Sequence, residues 1–83
     1  MTIFSMNYIS YLKALGRYIR EKRTKLGYSQ EAFADEIGVH RTYMGSIERG
    51  EKNFSLKNLI KVVDGLGITP AKMMNETEKS YLE

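Results

Sequence analysis

The stretch "EIGVHRTYMGSIERGE", residues 36–51, decides how the chain is read. Met44 and Ile47 have the three-residue spacing of a buried helical stripe, yet the segment opens with His40, Arg41 and Thr42, and Gly38 and Gly50 bracket it. A helix that buries Met44 and Ile47 turns Arg41, Thr42, Gly45, Ser46 and Arg49 to solvent. Short hydroxyls, a small residue and two guanidinium forks suit the DNA major groove, which admits one α-helix and displays distinguishable donor and acceptor patterns on the base edges. Glycine and serine permit close approach. Arginine offers paired donors matching guanine O6 and N7, and Thr42 suits a phosphate or a thymine methyl.

Working outward, Ser29 is an N-cap for a preceding short helix, "QEAFADEI", which pairs Phe33 with Ile37 and ends at Gly38. Two short helices joined by a glycine-containing turn form one supersecondary unit. Upstream, from Tyr11, Leu12, Leu15, Ile19 and Leu26 lie near one face of a long first helix that stops at Gly27. Lys13, Arg17 and Arg20 form a basic stripe on another face. Downstream, "FSLKNLIKVVDGLG" predicts a fourth helix capped by Ser55, with Leu56, Leu59, Ile60, Val63 and Leu66 apolar and Gly67 at its end. "ITPAKMMNETEK" predicts a fifth, with Thr69 as cap and Pro70 in the first helical position, where a missing N–H costs nothing. No stretch alternates as a strand would. The expected fold is all-α with five helices, organised as an arm or short helical lead-in over residues 1–10 and a helical domain over 11–83. The arm is apolar, with Ile3, Phe4, Met6, Tyr8 and Ile9.

Eighty-three residues make one small domain, near the lower limit for closing a core without a metal or disulfide. Zero cysteines and one histidine leave no thiolate zinc site and no histidine cluster, so neither a metal nor a cofactor is expected. There is no paired histidine, phosphate loop or nucleophile–base constellation, and the chain is read as a non-enzyme without a small-molecule substrate. The opening residues lack the pattern of a secretory leader and no eighteen-residue apolar run occurs, so the expectation is a cytoplasmic protein without a membrane partner. The net charge of +3 is unevenly spread: residues 1–63 hold eleven of the thirteen Lys and Arg but six of the ten Asp and Glu. That distribution favours a polyanion near the first four helices and leaves the last segment acidic.

These residues also carry a family resemblance. Over about residues 15–70 the Ser-Gln at 29 and 30, Ala34, the Gly-Val at 38 and 39, Ile47, and Glu48 with Gly50 follow the order of the phage-repressor-like helix-turn-helix regulators. Within them, "VHRTYMGSIERGEKNFSL" most resembles the controller proteins of bacterial restriction–modification systems, small DNA-binding dimers with little beyond the five helices. The usual controller segment has Asp before Arg-Thr-Tyr, where this chain has His40, and the departure suggests altered contacts at the start of the recognition helix.

The resemblance implies that the third helix reads bases, with Arg41 foremost and His40, Thr42, Ser46 and Tyr43 beside it. It implies backbone contacts from Gln30, at a helix N-terminus that favours phosphate, and from Arg49, Lys52, Asn53 and Arg17. Arg23 and Glu48 are expected to pair across the first and third helices in an architectural role. A single reading helix gives limited affinity, so a homodimer on a partly palindromic operator of double-stranded DNA is expected, its helices roughly 34 Å apart. Ile68, Met73 and Met74 are the candidate dimer interface. A second reading, in which the apolar arm serves an antitoxin-type interaction module of a toxin–antitoxin pair, stands beside the regulator.

Overall fold

A computed structural model of the chain describes residues 7–83. Ile3, Phe4 and Met6 of the expected arm lie outside the described residues. Five α-helices follow one another: α1 Tyr8–Lys25, α2 Gln30–Ile37, α3 Arg41–Glu48, α4 Leu56–Leu66 and α5 Pro70–Leu82. Each begins at a polar cap whose side chain accepts an otherwise orphaned backbone N–H. Asn7 accepts from Ser10, Ser29 from Ala32, Ser55 from Asn58 and Thr69 from Lys72, at 2.9 to 3.2 Å. Gly38 and Gly67 end α2 and α4 in the left-handed region, where glycine carries no Cβ penalty.

The core joins all five helices through one cluster: Leu15 and Ile19 of α1, Phe33 and Ala34 of α2, Met44 and Ile47 of α3, Val62, Val63 and Leu66 of α4, and Met73 of α5. The Tyr28 ring meets Phe33 edge-on at 5.5 Å and seals the α1–α2 turn. α1 and α3 approach so closely that a Cβ on Gly16 would stand 2.5 Å from the Glu48 carbonyl oxygen and 2.6 Å from that of Ile47. This contact fixes where the end of α3 sits.

The structure corrects four expectations. α1 starts at Tyr8 instead of Tyr11, so residues 8–10 are the helical lead-in and not an arm; Asn7 caps the helix and donates its N–H to the Tyr81 hydroxyl at 2.6 Å. That anchor lies seventy-four positions away, beyond the reach of local pattern. α5 continues past Lys79 to Leu82 for the same reason, because Tyr81 packs on Tyr11 with ring centroids 5.3 Å apart. Leu26 is exposed, because it is the C-cap of α1, beyond the last turn whose face packs inward. Met73 is fully enclosed by its own protomer, with 0% exposure, and offers no surface to a dimer partner. Its neighbour Met74, about 100° further round the helix, is exposed instead.

α5 lies along α1, and the Tyr18 hydroxyl donates to the Glu76 carboxylate between them, with Lys22 3.7 Å from the same carboxylate. The Tyr18 hydrogen bond, aided by Lys22, Lys72 and Lys79, holds the Glu76 carboxyl below the usual carboxylate range despite opposing desolvation. Burial, and then Glu76, push the Tyr18 phenol up. A depressed carboxyl pKa means that the native state binds fewer protons than the unfolded one, so the contribution is present above about pH 4.3 and fades as pH falls further. Tyr18→Phe is expected to destabilise the protein at neutral pH, with the gap to wild type closing on acidification; urea titrations at a series of pH values measure it, and a constant gap counts against the linkage.

Gly16→Ala forces the α1–α3 contact apart. An expected loss of about 1–3 kcal/mol, with an unchanged dependence on denaturant concentration, would follow from overpacking at that crossing.

Candidate nucleic-acid interface

The centre of the site is an ion pair below the surface. Arg23 of α1 donates from Nε to Oε2 of Glu48 at 2.7 Å and from Nη2 to Oε1 at 2.9 Å, a bidentate fork with side-chain exposures of 8% and 3%. The remaining Arg23 nitrogen, Nη1, donates to the Tyr28 carbonyl at 2.8 Å, and Gln30 Nε2 donates to Glu48 Oε1 at 3.0 Å. One network therefore ties α1, the α1–α2 turn, the start of α2 and the end of α3.

Above that network α3 offers its outer edge. Arg41, Thr42 and Arg49 are exposed. Gly45 is covered: a Cβ placed there would meet Arg49 Nη1 at 3.1 Å and Gln30 Oε1 at 3.2 Å, so both side chains fold over its bare backbone. Ser46 differs from expectation. It is 6% exposed and its hydroxyl donates to the Tyr43 carbonyl at 2.7 Å, which turns it from the outer surface towards its own helix. Ser46 still contributes to the floor of a shallow hollow walled by Thr42, Tyr43, Arg49, Glu51 and Lys52. Tyr43 is half-buried and its hydroxyl accepts from Asn58 Nδ2 of α4 at 3.1 Å, which leaves its own proton free to be donated outward.

His40 is the N-cap of α3, Nδ1 accepting from the Thr42 N–H at 3.1 Å. An accepting Nδ1 in a neutral ring places the proton on Nε2. Gln30 stands at the N-terminus of α2, half-buried, with its amide directed by Glu48. Lys52 and Asn53 are exposed in the turn after α3, and Arg17 is exposed on α1 next to Gly16. Gly50, at φ 72°, lets that turn rest on Lys13, since a Cβ there would lie 2.7 Å from the Lys13 Cα. The turn carrying Lys52 is thereby held against α1.

Two partners were not foreseen from the sequence. Arg41 Nη1 donates to Glu31 Oε2 at 3.2 Å, and Arg49 Nε donates to Glu51 Oε2 at 3.0 Å. The second pair has a short sequence separation that could have signalled it; the first joins residues ten positions apart across the α2–α3 turn and carries no local signal. Among the described residues no group of metal-ligating side chains occurs, and no helix is long and apolar enough to cross a membrane.

Two short helices at a tight turn, the second edged with cations and braced from beneath, define a helix-turn-helix domain. A helix-turn-helix family model matches residues 19–73, and the chain belongs to that family. Its relatives narrow the class to controller-like regulators: it is 48% identical over 61 residues to the control protein C.MunI of Mycoplasma sp, covering 74% of this chain and 80% of that protein. Among solved structures it resembles the restriction-modification controller protein C.AhdI from Aeromonas hydrophila, with a TM-score of 0.72 and 42% identity over 75% of this chain and 94% of that one. It also resembles the C.Esp1396I controller tetramer in complex with its natural 35 base-pair operator, with a TM-score of 0.78 and 27% identity over 88% and 96% of the two chains.

Removing one partner of the buried pair strands the other. Glu48→Ala or Arg23→Ala is expected to cost about 3–5 kcal/mol of stability, and the double variant less than the sum, because neither charge is then left alone. Denaturant unfolding of the three variants measures the cycle; additive losses would mean that the groups act separately.

Proposed function

We propose that the chain is a sequence-specific DNA-binding transcriptional regulator of the restriction–modification controller type, acting in the cytoplasm as a homodimer without catalytic activity. The observation that carries the proposal is the bracing of α3 by the Arg23–Glu48 fork, which presents Arg41 and Thr42 outward on a rigid two-turn helix. The controller relatives support it, one of them described as a tetramer on operator DNA. In this reading Arg41 contacts base edges, with His40, Thr42 and Tyr43 at neighbouring positions and Ser46 contributing floor. Gln30, Arg49, Lys52, Asn53 and Arg17 serve the phosphates.

The relatives are control proteins and transcriptional regulators, which favours this reading over the antitoxin-type module. For the dimer, Ile68 and Met74 are the proposed apolar contacts, and Leu56 and Ile60, four apart on α4 and exposed, extend the available surface. A monomer at high micromolar concentration in sedimentation would remove the dimer from the proposal.

Site selection from random duplex DNA tests the function directly, with an enriched, partly palindromic sequence as the expected result. On that sequence Arg41→Ala is expected to cost about 1–3 kcal/mol and relax preference at one base position, whereas Lys52→Ala weakens all sequences alike and reduces the salt slope by about one. Uniform weakening by Arg41→Ala would contradict base readout.

A further inference from the structure

Both arginines of the outer α3 edge are already occupied in the free protein, each by a carboxylate from outside α3. Glu31 of α2 holds Arg41 at 3.2 Å and Glu51 of the following turn holds Arg49 at 3.0 Å. Glu51 also lines the hollow beside Thr42 and Tyr43, so a negative charge sits inside the surface offered to a polyanion. A surface selected only for phosphate affinity would not carry it. We infer that Glu31 is a specificity-determining residue, which holds the base-contacting Arg41 in the free protein and opposes binding to DNA that lacks the operator bases, whereas Glu51, which holds the phosphate-contacting Arg49, weakens binding to every duplex alike. This rests on the proposed DNA-binding function.

The magnitudes set the direction. Both pairs are more than half exposed, with side-chain exposures of 66% and 64% for Arg41 and Glu31 and of 58% and 57% for Arg49 and Glu51. Pairs in that setting contribute about two- to fivefold to an equilibrium constant. A bidentate arginine–guanine contact discriminates by on the order of five- to a hundredfold, enough to outbid the carboxylate. On a duplex without that guanine the arginine exchanges a carboxylate for a solvated phosphate and gains little. The released carboxylate then faces the phosphate backbone, and the repulsion remains. The Arg49 hydrogen bond holds the Glu51 carboxyl below its usual range, with Lys52 adding to the effect, so it is ionised and able to repel at neutral pH. Glu31 therefore weakens non-operator binding more than operator binding, and Glu51 weakens both.

The experiment uses the full chain and two labelled duplexes of equal length and base composition, one recovered by random site selection and one shuffled. At ~50 mM salt, Glu31→Gln is expected to tighten the shuffled duplex by about two- to fivefold and the selected duplex by less, whereas Glu51→Gln tightens both by the same factor, each gain fading at ~300 mM. Glu78→Gln on α5 makes the same change in net charge away from α3 and is expected to leave the ratio between duplexes unchanged. Equal tightening on both duplexes by the Glu31 variant would reduce its effect to bulk charge and overturn the inference. Selective loss of the selected duplex with altered base preference would overturn it too, since the carboxylates would then be reading cytosine amino groups themselves. A wild-type chain that distinguishes neither duplex overturns the regulator reading, and this inference with it.

Discussion

The fork between Arg23 and Glu48 is the constraint on which the orientation of α3 depends. α3 has eight residues, too few to be stable as an isolated helix in water. Its direction must come from tertiary contacts, and its C-terminal end is gripped twice: by the guanidinium beneath Glu48 and by the bare backbone of Gly16 against the Ile47 and Glu48 carbonyls. Burying two charges has a large desolvation cost, recovered only when geometry is close to ideal and the other hydrogen-bonding positions are filled. Here the fork is bidentate, Tyr28 and Gln30 fill further positions, and rotation of α3 would break several of these bonds together. The ion pair acts less as a source of net stability than as a lock on orientation.

The same two chemical groups act in opposite ways at the exposed edge of α3. Arg41–Glu31 and Arg49–Glu51 use the guanidinium–carboxylate contact of Arg23–Glu48, but water reaches them on most sides. Exposure screens the attraction and lets either partner exchange it for something else. Burial thus divides the charges of one small domain into a fixed frame and a replaceable surface. Gln30 touches both: its amide donates down to Glu48 while its oxygen lies over Gly45 beside Arg49, so the start of α2 is positioned by the same carboxylate that fixes α3.

What the sequence made legible was what local chemistry determines. Ser29, Ser55, Thr69 and Pro70 mark helix starts, and Gly38 and Gly67 mark ends, because capping is decided within four residues. The α5 end was not legible, since Tyr81 fixes it across the whole length of the chain, whereas the α1 start had a local mark in the Asn7 cap that the irregular apolar residues around it obscured. Met73 and Met74 have the same chemistry and adjacent positions, and only the placement of α1 against α5 decides which is enclosed. On α3 the outward set was read from spacing, but spacing does not tell that a serine hydroxyl will turn back to its own helix carbonyl, as Ser46 does, or that Gly45 will be roofed by two longer side chains. The arginine and glutamate of the buried fork came from family resemblance; nothing in their own spacing marks one as the partner of the other. Glu31 and Glu51 escaped notice because isolated acidic residues at helix starts and in loops are ordinary surface composition.

His40 changes the chemistry at the N-cap of α3. An aspartate cap would satisfy the Thr42 N–H with one carboxylate oxygen and leave a second oxygen, with its negative charge, at the surface. Histidine satisfies the same N–H through Nδ1, so the cap is preserved while the group turned outward becomes an N–H donor. Donor replaces acceptor, and a negative charge is removed from the start of α3. The helix still begins at Arg41 and the core beneath is undisturbed, because capping requires only one acceptor atom. A change confined to the outer half of a single side chain can therefore alter what the domain meets without altering how it folds. The division between frame and surface makes that possible: with α3 locked from below, the residues on its upper edge contribute little to the packing and are free to differ.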